Sequence, residues 1–69
     1  MSGEYKAFKR GKNWVVSFED NSSPVSICLT RYNAWVEARR LARGCEGKAL
    51  LLGWQGKIIA RNTYEKNKT

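Results

Sequence analysis

The sequence predicts an α+β domain: an antiparallel sheet in the chain order β-β-β-α-β-β, with one helix packed on one face. Three observations lead there. Helical periodicity is sustained only between Leu29 and Lys48. Apolar and polar residues alternate with period two from Trp14 to Glu19 and from Val25 to Leu29, the pattern of a half-buried strand. Turn-forming stretches built on Gly, Asn and Pro separate the apolar runs.

Taken in order, Met1 to Glu4 reads as a loose end. Tyr5 to Arg10 is a short strand, with Tyr5 and Ala7 on one side and Lys6 and Phe8 on the other. Lys9-Arg10-Gly11-Lys12-Asn13 is a turn, because Gly11 and Asn13 tolerate the positive φ of tight hairpins. It is also the most basic loop of the chain. Trp14 to Glu19 is the second strand and Val25 to Leu29 the third, joined by the polar turn Asp20-Asn21-Ser22-Ser23-Pro24. The expected inward set is Trp14, Val16, Phe18, Val25, Ile27 and Leu29. Phe8, Val15, Ser17, Glu19, Ser26 and Cys28 would then form the open face.

On a helical wheel of about 100° per residue, Ala34, Trp35, Ala38, Leu41 and Ala42 share one side. Val36, Arg39, Arg40 and Arg43 take the opposite side, with Tyr32 beside them. The alanines let such a helix lie close to a flat sheet. Thr30 is the expected N-cap, since its hydroxyl can accept from an otherwise unpaired backbone N–H. Gly44 is the expected left-handed stop. Ala49 to Leu52 is an apolar strand, Gly53-Trp54-Gln55-Gly56 a hairpin turn, and Lys57 to Arg61 the returning strand. Asn62 to Thr69 reads as a polar tail that contains Tyr64.

At 69 residues the chain is one domain, with a core at about 5–64 and flexible ends at 1–4 and 65–69. Thirteen Lys and Arg against six Asp and Glu give a net charge of +7, which favours anionic partners. Nucleic acid comes first among these, and the membrane is not an expected partner. With no histidine, a one-chain zinc site lacks ligands and general acid–base catalysis near neutral pH lacks its usual group. The acids form no evident pair. No enzyme activity and no cofactor are expected. Cys28 and Cys45 read as free thiols of a reducing cytoplasm. The first ten residues carry no signal-like apolar core, and the longest apolar run, Ala49 to Leu52, cannot span a bilayer. A cytoplasmic location is expected.

Trp14, Val16, Thr30, Ala34, Ala38, Leu41, Ala42, Gly56, Ile58 and Tyr64 together resemble a family of small bacterial and phage domains of unknown function. The likeness runs from about Tyr5 to Tyr64. It implies the same meander, Thr-capped helix and terminal hairpin. The chain departs from that family at Gln55, where an acidic residue is usual, at Arg31-Tyr32-Asn33 after the cap, and at Trp54. The basic turn, Trp14 and the capped helix also resemble, more weakly, the amino-terminal DNA-binding domains of tyrosine integrases. That likeness implies a sheet docked in the major groove, and it leaves the hairpin of Ala49 to Arg61 without a counterpart.

Two functions follow from these residues. The first is a small nucleic-acid-binding accessory or regulatory protein, DNA ahead of RNA, gripping the phosphate backbone. Its candidate contacts are Lys9, Arg10 and Lys12 on the first turn, Arg39, Arg40 and Arg43 on the helix back, and Lys57 and Arg61 at the second hairpin. The second is a protein-interaction module or inhibitor, phage- or mobile-element-encoded, or a homodimer. It would act through Trp54, Gln55 and the open sheet face. Trp54 itself is open to three readings: cover over the helix end, protein interface, or base stacking. Trp14 and Trp35 read as core.

Overall fold

The computed structural model describes residues 3–19 and 24–64. Its elements are β1 (Glu4–Arg10), β2 (Asn13–Phe18), β3 (Pro24–Cys28), α1 (Arg31–Gly44), β4 (Lys48–Leu52), a single 3₁₀ turn (Trp54–Gly56) and β5 (Ile58–Thr63). The class and the element order are as the sequence predicts, and one helix lies on one face of the sheet. The expected loose ends at 1–2 and 65–69, and most of the Asp20–Pro24 turn, lie outside the described residues.

The sheet is mixed rather than antiparallel throughout. Its order is β3-β2-β1-β4-β5. β1 pairs antiparallel with β2 and parallel with β4, with Ala7 opposite both Val16 and Leu51. The reason is topological. After β3 the chain crosses over through α1, and a strand returning from such a crossover runs parallel to the one it left. It docks beside β1 at the free edge of the meander. This also gives Gly3 and Glu4 a place in the structure, against the expectation of a loose end. The Lys48 N–H donates to the Gly3 carbonyl at 2.7 Å, and Glu19 N–H donates to the Glu4 carbonyl at 2.6 Å.

The core lies between α1 and the centre of the sheet. Ala34, Ala38 and Ala42 are fully buried against Ala7, Val16, Ala49 and Leu51. Tyr5, Trp14, Trp35, Leu41, Ala60 and Tyr64 pack around that centre. The contact is one of small side chains, so the helix backbone can ride close to the strands. Thr30 caps the helix as expected, its Oγ1 accepting from the Asn33 N–H at 3.1 Å. The stop differs. Gly44 is the last helical residue, Cys45 is the cap, and the left-handed residue is Glu46 at φ 56°. Gly47 N–H donates to the Ala42 carbonyl and Glu46 N–H to the Arg43 carbonyl, the paired bonds of a Schellman ending. Gly47 is needed there for a separate reason: a Cβ on it would sit 2.0 Å from the Gly3 carbonyl oxygen.

The third strand presents the opposite face from the one expected. Trp14 pairs with Cys28 and Val16 with Ser26, so Cys28 and Ser26 share the helix side. Val25 and Ile27 point away, 51% and 64% exposed, and Leu29 is 81% exposed. A register shift between Val16 and Ser17 accompanies this pairing. Period two fixes which residues travel together but not which set turns inward. On an edge strand far from the helix centre, the penalty for turning the apolar set outward is small. The tail is likewise shorter than expected. Asn62 and Thr63 belong to β5, and Tyr64 N–H donates to the Gly47 carbonyl at 2.7 Å. No helix among the described residues is long and apolar enough to cross a membrane.

Candidate nucleic-acid interface

Strand directions decide which loops meet. β2 returns antiparallel to β1, β3 ends opposite Trp14, and β4 runs parallel to β1. The β1–β2 turn, the start of α1 and the β4–β5 connection therefore share one end of the molecule. A groove of about 640 Å³ lies there, lined by Phe8, Lys9, Gly11, Trp14, Arg31, Leu52, Gly53, Trp54, Gln55, Gly56 and Ile59. No carboxylate of the described residues lines it. Among the described acids, Glu4, Glu19 and Glu46 sit toward the far end, near the C-terminus of α1.

Each segment has a local reason for its shape. Gly11 takes φ 62° in the β1–β2 turn, a conformation that suits glycine. Lys9, Arg10 and Lys12 around it are exposed. Successive strand residues face opposite ways, so Lys9 lies on the helix side and Arg10 on the other. The Arg10 guanidinium rests over Phe8, 5.7 Å from the ring centre. Arg31 is the first residue of α1, whose first turn carries no acidic side chain at the positive end of the helix dipole. In the β4–β5 connection, Gly53 N–H donates to the Lys57 carbonyl at 2.7 Å, and Lys57 N–H to the Trp54 carbonyl at 3.2 Å. Gln55 at φ 59° and Gly56 at φ 76° turn the chain between them. Trp54 is held in this closed turn yet is 82% exposed, which removes the reading of it as cover over the helix end.

The remaining predicted cations lie elsewhere. Arg39, Arg40 and Arg43 line a separate depression with Val36, Gly44 and Tyr64 on the helix back. Two of them have neighbours of their own. Arg39 stacks 5.3 Å from the Trp35 ring centre. Arg40 Nε donates to Glu37 at 3.1 Å, and that hydrogen bond holds the Glu37 carboxyl below its ordinary pKa. Arg61 stands opposite Leu50 on the helix-free face, in the middle of β5 rather than at the hairpin end.

So Lys9 lines the groove with Trp54 and Gln55, Arg10, Lys12 and Lys57 lie at the same end of the sheet without lining it, and Arg39, Arg40, Arg43 and Arg61 lie apart. Sequence reasoning missed Arg31. Its signal was present: a third antiparallel strand must end beside the first turn, and Arg31 follows it directly after the cap. No curated protein and no solved structure matches the chain. A family model covers residues 5–64, which takes in the helix and nearly all of the sheet. The chain therefore belongs to DUF2188, the family described as an uncharacterized protein conserved in bacteria.

Proposed function

We propose that this protein binds nucleic acid, DNA ahead of RNA, through the end of the sheet that carries the groove. The observation that supports this is the placement of Lys9, Arg10, Lys12, Arg31 and Lys57, from three separate segments, at the end of the sheet whose groove is lined by Lys9 and Arg31 and by no carboxylate among the described residues. Polyphosphate chains reward such an arrangement because each neutralised phosphate releases condensed counterions. The N-terminus of α1 adds its backbone dipole in the same direction. Contacts of this kind read the backbone, so little base preference is expected from them.

The test is a titration of labelled DNA at several salt concentrations. Each phosphate contact contributes roughly 0.9 to the slope of log affinity against log salt for duplex DNA. The five cations at this end predict a slope of about 4 to 5, with Arg31→Gln lowering it by about 1. Absence of binding at low salt would overturn the reading.

A second reading has its own support. Val25 and Ile27 expose apolar surface on edge strand β3, whose outer backbone groups have no strand beside them among the described residues. Edges of this kind pair with other chains. We read this as favouring a homodimer. Sedimentation should then give twice the monomer mass, reverting to one on Ile27→Lys. A monomer at all concentrations would remove it.

A further inference from the structure

We infer that the groove beside Trp54 receives an unpaired base, so that the nucleic acid it suits is single-stranded. This rests on the nucleic-acid reading above and names its ligand class. The groove is within the about 300–1,000 Å³ range of small-molecule pockets. Its wall is aromatic, from Phe8, Trp14 and Trp54, and its charge comes from Lys9 and Arg31. That combination matches a nucleotide: a flat π-face for the ring and cations for the phosphate. A backbone-only site has no use for an exposed indole. A duplex keeps its bases stacked and cannot deliver one into the groove without paying the unstacking energy. A single strand can.

The geometry of the connection supports this role. The backbone at Trp54 is held by the Gly53–Lys57 and Trp54–Lys57 hydrogen bonds, so its indole projects from a closed turn. The backbone of the turn is therefore already ordered before binding. Gln55 follows it with an exposed side chain amide beside the same groove.

The test compares a ten-nucleotide thymine oligomer with a ten-base-pair duplex in one buffer. Fluorescence anisotropy reports affinity, and tryptophan emission reports stacking. The wild type should bind the single strand about tenfold or more tightly than the duplex, with quenching of tryptophan emission. Trp54→Ala should weaken the single strand by about tenfold and the duplex by less than twofold, with the salt slope on both unchanged. Trp54→Phe should retain most of the affinity. Because Trp54 is so exposed, both variants should melt as the wild type does. If the duplex binds in a salt-dependent way but Trp54→Ala alters neither ligand, this inference fails while the nucleic-acid reading stands. If neither ligand binds the wild type at low salt, both fail.

Discussion

Replacing Ala38 with leucine is expected to lower the melting temperature by about 10–20 °C. Ala38 is fully buried at the centre of α1, between Ala34 and Ala42, and faces Ala7, Val16, Ala49 and Leu51. Three added carbons have no space there without lifting the helix from the sheet. Overpacking of this kind costs about 1–3 kcal/mol, and a domain of this size loses roughly 4–8 °C for each. The whole domain is expected to hold only about 3–10 kcal/mol, so the change removes a large share. Val36→Leu is the matched control. Val36 lies on the exposed back of the same helix, and its melt should shift by no more than a few degrees. Circular dichroism melts of the three proteins decide the matter. An Ala38→Leu variant that melts with the wild type would mean that the helix does not lie against the strands as described.

That helix was the most legible part of the sequence, because its information is local. The alanine spacing, the Thr30 cap and the arginine-bearing back each depend on residues a few positions apart. The parallel partnership of β1 and β4 joins Ala7 to Leu51, and nothing near either residue announces it. The face of β3 was misread for a related reason. Val25, Ile27 and Leu29 look inward when the strand is considered alone, but pairing with Trp14 and Val16 hands the inner side to Cys28 and Ser26. Among the site residues, the cations of the first turn were readable from composition and turn chemistry. Their assembly with Arg31, Lys57 and Trp54 was not, since it follows from strand directions and from the crossover. The helix arginines looked equivalent in the sequence. Their separation from the groove appears only once the helix is placed, whereas the engagement of Arg40 with Glu37 is a local contact three residues apart.

Two variants of equal charge turn that separation into an experiment. Lys9→Gln, Arg10→Gln and Lys12→Gln together remove three cations from the groove end. Arg39→Gln, Arg40→Gln and Arg43→Gln together remove three from the helix back. Each takes the formal charge from +7 to +4, so a protein that attracts nucleic acid through its overall field must respond to both alike. Localised binding predicts a different result. The turn variant should lose about 30-fold or more in DNA affinity at about 0.1 M salt, and its salt slope should fall by about 3, roughly 1 for each phosphate contact removed. The helix variant should lose no more than about threefold, with its slope nearly intact, because surface charges beyond about 10 Å are screened at 0.1 M salt. Lys9, Arg10 and Lys12 are exposed, so the turn variant should keep its fold, which a melt would verify. Equal losses in the two variants would show that net charge alone drives binding, and a larger loss in the helix variant would move the interface to the opposite side of the molecule.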